Sequence, residues 1–173
     1  MLSLAEFNGL DEPSAERQLL GCCGSRRWAR ELTAGRPFSN LESIQHHGDQ
    51  VWFGLDEEDW LEAFAAHPQI GASRAATGVT GRWSSEEQAG VRTASDDVRE
   101  RLARANRDYQ NRFGFIFIVC ATGKSVGEML ALIERRVTGS RDEELALAAE
   151  EQRKITRLRL TKLFDGVSSR SDA

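Results

Sequence analysis

Gly114-Phe115-Ile116-Phe117-Ile118-Val119-Cys120-Ala121-Thr122-Gly123 is the stretch whose reading decides the fold. Phe115 to Cys120 is aromatic and β-branched and lies between two glycines, so in isolation it reads as a buried strand. A strand needs a neighbour for its backbone N–H and C=O groups. No second segment of this quality occurs in the chain. The stretch is therefore predicted to be an extended, buried crossing between helices, its backbone bonded to side chains or a ligand. What remains is an all-α fold: a single-domain, compact helical bundle with one buried extended segment.

Working outward, the helix-start signature S-x-x-E recurs at Ser3/Glu6, Ser39/Glu42, Ser84/Glu87, Ser125/Glu128 and Ser140/Glu143. Each precedes apolar residues at helical spacing. Helices are predicted near 3–8, 13–22, 25–35, 40–53, 57–66, 85–113, 126–138 and 141–164. The connection 67–83 carries Gly71, Gly78 and Gly81 and is too irregular for helix; long loops of this kind are often functional. The helical domain is predicted over 1–165, with 166–173 a flexible polar tail.

The 173 residues suffice for a core without disulfides or metals. A net charge of −4, with arginines dispersed among acids, argues against nucleic acid as a partner. Three cysteines, Cys22, Cys23 and Cys120, form no C-x-x-C pair, and their odd number speaks against a disulfide framework. No basic-then-apolar leader and no apolar run of membrane-spanning length is seen, so no membrane association and a reducing, cytoplasmic setting are expected. The ending Ser171-Asp172-Ala173 is not a peroxisomal address.

The residues able to carry chemistry are few. In His67-Pro68-Gln69-Ile70-Gly71, Pro68 removes a backbone donor and disfavours helix at the residue before it. His67 thus stands where a helix ends, as a structural histidine or as an acid/base group re-aimed at the edge of a core. In the next helix, Val91, Ala94, Val98, Leu102, Ala105, Tyr109 and Phe113 share one stripe at about 100° per residue. Extended backwards, that wheel places Ser84, Glu87 and Gln88 on the inward side and Ser85 and Glu86 away from it. Glu87 reads as the last member of a capping box, as a functional carboxylate, or as both; the helix start is also a ready anion site. In the last helix Leu145, Ala148, Ala149, Gln152, Ile155, Thr156 and Leu163 form the apolar face. Arg159 falls within it, while Lys154 and Arg157 project away. An inward arginine is rare unless paired, so Arg159 is either a structural ion-pair residue or a fork for a ligand carboxylate or imide oxygen. His46-His47 reads as a solvated helix face, and no histidine has metal-ligand spacing, so no metal site is expected. Dinucleotide, Walker and G-x-S-x-G patterns are missing, and no cofactor is indicated.

His67-Pro68-Gln69-Ile70-Gly71, then Ser84-x-x-Glu87-Gln88, then Asn106-x-x-Tyr109-x-x-x-Phe113-Gly114-Phe115, then Lys154-Ile155-Thr156-x-Leu158-Arg159-Leu160, in this order and spacing, resembles the OHCU decarboxylase family. The resemblance runs from roughly residue 5 to 164. It implies an all-helical fold that includes the extended segment. It also implies a cofactor-free carboxy-lyase of urate degradation, converting 2-oxo-4-hydroxy-4-carboxy-5-ureidoimidazoline (OHCU) to S-allantoin and carbon dioxide. By the same resemblance His67 is the acid/base residue and Glu87 its candidate catalytic partner. Pro68, Ser84, Ser85, Glu86, Glu87, Gln88, Val119, Cys120, Ala121, Thr122, Gly123 and Arg159 line the substrate site. Relatives are often homodimers. The departure is Cys120-Ala121-Thr122, where some relatives carry a basic residue, so contacts there are expected from the backbone. Two other classes of function are weighed against this one. A helical protein-interaction module would use the inward polar residues structurally, and a metal-dependent hydrolase would draw on His46, His47 and His67.

Overall fold

Ser3, Asp11, Ser25, Asn40 and Ser125 each adopt an extended conformation and accept a hydrogen bond from the backbone N–H three residues on, and a helix starts directly after each. The computed structural model describes residues 2–70 and 96–164. Among them the chain forms α1 (Leu4–Asn8), α2 (Glu12–Leu20), α3 (Arg26–Ala34), α4 (Leu41–Gly54), α5 (Glu57–Ala65), α6 (Asp96–Phe113), α7 (Val126–Arg136) and α8 (Arg141–Phe164). No strand occurs among the described residues, so the all-α expectation holds. Apart from the start of the helix predicted over 85–113, which lies outside the described residues, every predicted helix end is within two residues of the observed one.

The capping boxes form at Ser3/Glu6, Ser125/Glu128 and Ser140/Glu143, each with the hydroxyl and the carboxylate bonded reciprocally to backbone N–H groups. The predicted Ser39/Glu42 box does not. Asn40 takes the cap instead, its amide oxygen accepting from Ser43 N–H at 2.8 Å while Ser43 Oγ accepts from Asn40 N–H at 3.2 Å. Asparagine caps as well as serine does, and the shift leaves Glu42 in the first turn, where it complements the helix dipole.

The contacts divide the chain into two compact units, Met1–Ala63 with Arg153–Ala173, and Phe64–Gln152. In the first, Trp28 is fully buried and donates from Nε1 to the Gly48 carbonyl at 2.9 Å. A Cβ at Gly48 would come within 3.3 Å of that indole, so α3 and α4 meet through the missing side chain. Phe7 packs edge-on against Phe164 at 5.3 Å, and Arg36 ties off α1 by donating to the Phe7 and Leu10 carbonyls at 3.0 and 2.7 Å. His47, expected on a solvated face, is half-buried with its ring 5.7 Å from Phe38; its neighbour His46 is exposed.

The second unit is built around the extended segment. Gly114 (φ 83°) and Gly123 (φ 78°) bound it, both in the left-handed region that favours glycine. Tyr109 on α6 is fully buried and meets the rings of Phe113, Phe115 and Phe117 at 4.7, 5.9 and 5.3 Å. Leu102, Tyr109 and Phe113 are buried as the wheel predicts, whereas Val98 and Ala105 are only half-buried. The segment's backbone bonds to side chains. Arg136 donates to the Ile118 carbonyl at 2.9 Å, Lys124 Nζ to the Cys120 carbonyl at 2.8 Å, and Cys120 N–H to Glu151 Oε2 at 2.7 Å. Arg136 also donates from Nε to Glu144 Oε2 at 2.8 Å, and the same oxygen accepts from the Tyr109 hydroxyl at 2.7 Å. Glu144 is 2% exposed. Burial, then the bond to Glu144, pushes the Tyr109 hydroxyl well above its ordinary pKa.

Arg136→Met leaves a buried carboxylate without its counter-charge and should destabilise the protein by about 3–5 kcal/mol, whereas Tyr109→Phe should cost about 1–3 kcal/mol; urea unfolding measures both. Hydrogen bonds from Ser3, Ser125 and Ser140 hold the Glu6, Glu128 and Glu143 carboxyls below their ordinary pKa. With a folded pKa below the unfolded one, each contributes stability that is present above the unfolded pKa and lost as pH falls through the folded one. The triple variant Glu6→Gln, Glu128→Gln, Glu143→Gln keeps cap acceptors, so its melting temperature should fall less steeply than wild type on acidification.

Candidate functional site

His67 follows α5 and closes its last turn, donating its backbone N–H to the Phe64 carbonyl at 3.1 Å before Pro68 stops the helix. The side chain is half-buried, and its Nε2 lies 2.7 Å from the amide oxygen of Gln152, a fully buried residue of α8. The turn that carries it is gripped from α6. Asn106 Nδ2 donates to the Ile70 carbonyl at 3.1 Å and also to Leu102 within its own helix at 3.0 Å. Gln69 Nε2 donates to Gln110 Oε1 at 2.7 Å. The motif His67-Pro68-Gln69-Ile70 is thus fixed at its backbone and at the ring tip. Gly71, at its end, lies outside the described residues.

Of the stretch Val119 to Gly123, Val119, Cys120 and Ala121 are buried and Thr122 and Gly123 exposed. Glu151 Oε2 holds the Cys120 N–H, Lys124 Nζ holds the Cys120 carbonyl, and Lys124 N–H closes a turn onto the Ala121 carbonyl at 3.0 Å. Consecutive α8 residues therefore serve two predicted site segments: Glu151 the 119–123 stretch and Gln152 the histidine. Among the described residues no group of three His, Cys, Asp or Glu side chains is arranged to hold a metal ion.

Arg159 is 2% exposed and lies in the apolar stripe of α8, as the wheel places it. Its charge reaches the thiol of Cys23, which burial nonetheless pushes up to about 12. Arg157 does not simply project into water. It pairs with Asp49 at 2.8 Å, a carboxylate that also accepts from Arg153 at 3.2 Å, while its own side chain stays 41% exposed. Ser84, Ser85, Glu86, Glu87 and Gln88 lie outside the described residues.

Three residues at the site were not singled out from the sequence as functional: Gln152, Glu151 and Asn106. Gln152 carried one available signal, an amide in an otherwise apolar stripe, where a buried polar group needs a partner. Asn106 falls at the edge of the apolar stripe of α6 and opens one of the motifs that carry the family resemblance. Glu151 gave none, since a glutamate in a run of acidic residues reads as solvated surface.

A sequence model of the family described as OHCU decarboxylase matches residues 8–161, a single span that takes in residues of both units. The chain belongs to the OHCU decarboxylase family. It is 40% identical over 147 residues to the uric acid degradation bifunctional protein TTL of Arabidopsis thaliana, an alignment covering 83% of this chain and 45% of that protein. A second bifunctional relative, from Bacillus sp., is 26% identical and covered over 32% of its length, so the chain spans less than half of these longer proteins. The 2-oxo-4-hydroxy-4-carboxy-5-ureidoimidazoline decarboxylase of Haloferax volcanii is 28% identical over 94% of this chain and 96% of its own length. The crystal structure of an OHCU decarboxylase in the presence of (S)-allantoin matches this fold with a TM-score of 0.76 at 37% identity, covering 86% of this chain and 97% of that one. Of the residues expected from the sequence to form the site, His67, Pro68, Val119 to Gly123 and Arg159 lie among the described residues.

The contact between Glu151 and Cys120 can be tested without substrate. A hydrogen bond to a charged group contributes about 1.5–3 kcal/mol. Glu151→Ala should therefore speed amide exchange at Cys120 by at least about tenfold, with Glu151→Gln intermediate, as read by NMR hydrogen exchange.

Proposed function

We propose that this chain decarboxylates OHCU to S-allantoin, with His67 as the acid/base residue. The observation that carries the reading is the arrangement of His67, a ring at a helix stop held on a buried amide, within the decarboxylase family. In the reaction the bond from the ring carbon to the carboxylate breaks and carbon dioxide leaves. The electron pair moves into the adjacent imine-like system as an enol-type intermediate. The imine nitrogen takes up a proton as it receives that charge; a second proton is then delivered to the ureido-bearing carbon, and the hydroxyl gives up its own to become the ring carbonyl. This is general acid–base and electrostatic work, and imidazole is suited to it near neutral pH. No cofactor is called for by this sequence of steps.

In this reading Pro68 shapes the wall beside the histidine, and backbone groups from Val119 to Gly123 hold polar atoms of the substrate. Ser84, Ser85, Glu86 and Gln88 contribute to binding, with Gln88 on the ureido arm. Glu87 orients His67 or the substrate hydroxyl. Arg159 supplies a desolvated fork for an anionic or carbonyl oxygen. A homodimer is the proposed assembly, measurable by light scattering. A reducing, cytoplasmic compartment suits the three buried cysteines, Cys22, Cys23 and Cys120.

The test is circular dichroism of freshly made OHCU with and without protein: chiral allantoin should accumulate with the enzyme, and an unchanged racemic decay would sink the proposal. His67→Asn should keep the fold and lose at least about 100-fold in turnover. Glu87→Gln preserves a cap acceptor, so its stability should change by well under about 1 kcal/mol while activity collapses; retained activity would make Glu87 a cap only. On α8, Arg157→Ala should cost no more than about 1 kcal/mol. Allantoin should raise the melting temperature of wild type and of the Arg157 variant, but barely that of Arg159→Ala. Equal ligand stabilisation in all three would assign Arg159 to structure.

A further inference from the structure

Gln152 has no exposed surface, and its amide oxygen sits 2.7 Å from His67 Nε2. An amide oxygen only accepts, so this contact is a hydrogen bond when Nε2 carries the proton. In neutral imidazole one nitrogen donates and the other accepts, and the bond made by one decides which form is present. We propose that Gln152 is a positioning residue that holds neutral His67 as its Nε2–H tautomer, making Nδ1 the nitrogen that exchanges a proton with substrate. The choice of Nδ1 rests on the acid/base role proposed above for His67; the tautomer rests on the geometry alone.

The surroundings of the ring suit such a role. Its backbone N–H is tied to Phe64, the carbonyl three residues on is tied to Asn106, and the tip is tied to Gln152. With both ends fixed, the ring has little freedom to rotate about its side-chain bonds. Proton delivery to one face of a planar intermediate needs that restriction. The partner is also neutral. Gln152 orients the ring without adding a charge that would favour imidazolium, whereas its neighbour Glu151 directs its carboxylate to the Cys120 N–H.

The experiment is nitrogen-15 NMR of the full chain labelled at histidine. The chain holds only His46, His47 and His67, and subtraction of the His67→Asn spectrum identifies the signals of interest. The expected wild-type result, without substrate and at a pH where the ring is neutral, is a pyrrole-like Nε2 and a pyridine-like Nδ1. Gln152→Met, similar in shape but without an acceptor, should relax this to a mixture. It should lower kcat for OHCU by about tenfold or more with KM within about twofold. Gln152→Glu, which accepts and cannot donate, should retain the Nε2–H form. The wild-type spectrum decides even if the methionine variant does not fold. An active wild-type protein with Nδ1–H or mixed tautomers overturns this inference, as does an unperturbed tautomer in Gln152→Met. A protein inert towards OHCU but holding Nε2–H overturns the proposed reaction and leaves the tautomer standing.

Discussion

A buried extended backbone with no strand beside it must find partners for its polar groups, and at Ile118 and Cys120 those partners are charged side chains. Arg136 takes the Ile118 carbonyl, Lys124 the Cys120 carbonyl and Glu151 the Cys120 N–H. Charged groups can do this in an interior only if they are themselves compensated. Arg136 is compensated by Glu144, which in turn takes the Tyr109 hydroxyl. Its guanidinium also lies over the Phe117 ring, 4.8 Å from the centroid. The aromatic cluster and the ion pair therefore stabilise the same few residues. Loss of the arginine would expose both an unmatched carboxylate and an unmatched carbonyl.

Helix α8 organises these bonds by its period. Glu144, Ala148, Glu151 and Gln152 stand at i, i+4, i+7 and i+8, which is one face of a helix. At about 1.5 Å per residue the span from Glu144 to Gln152 is about 12 Å. Along that face Glu144 anchors the arginine that holds Ile118, Glu151 holds Cys120, and Gln152 meets His67. The helix thus acts as a ruler. It fixes the extended segment at two points and places the histidine against the next side chain along. A change of register in α8 by one residue would misplace all three contacts together.

How much of this is legible in the sequence follows from what periodicity reports. Helical spacing identifies a face, and so it placed Leu145, Ala148, Gln152 and Arg159 inward and assigned the helices of the described residues. Caps depend on a few adjacent residues, and so Ser3/Glu6, Ser125/Glu128 and Ser140/Glu143 form the boxes that the sequence predicts. The exception, Asn40, shows the limit: two good caps stood next to each other at Ser39 and Asn40, and propensity does not choose between them. Partners are a different matter. His67 and Gln152 are separated by 85 positions, Tyr109 and Glu144 by 35, Cys120 and Glu151 by 31. Nothing local specifies such pairings. The need of the Phe115–Cys120 backbone for outside partners could be deduced; which residues answer it could not. The family resemblance implies a role for His67, yet it carries no information on what holds the ring.

The choice of residue types along the α8 face follows from the charge each partner needs. A backbone N–H such as that of Cys120 is a neutral donor, and a carboxylate is its strongest acceptor. The imidazole of His67 is different in the acid/base role proposed for it, because such a group must both release and recover a proton near neutral pH. A carboxylate at position 152 would favour the imidazolium form and oppose release. An alkyl side chain would leave a ring nitrogen buried beside apolar atoms, which costs free energy. A glutamine avoids both. It supplies an acceptor of fixed direction without net charge, and full burial fixes that direction. The adjacent positions 151 and 152 thus carry side chains of nearly the same shape, one charged and one neutral, each matched to the group it meets.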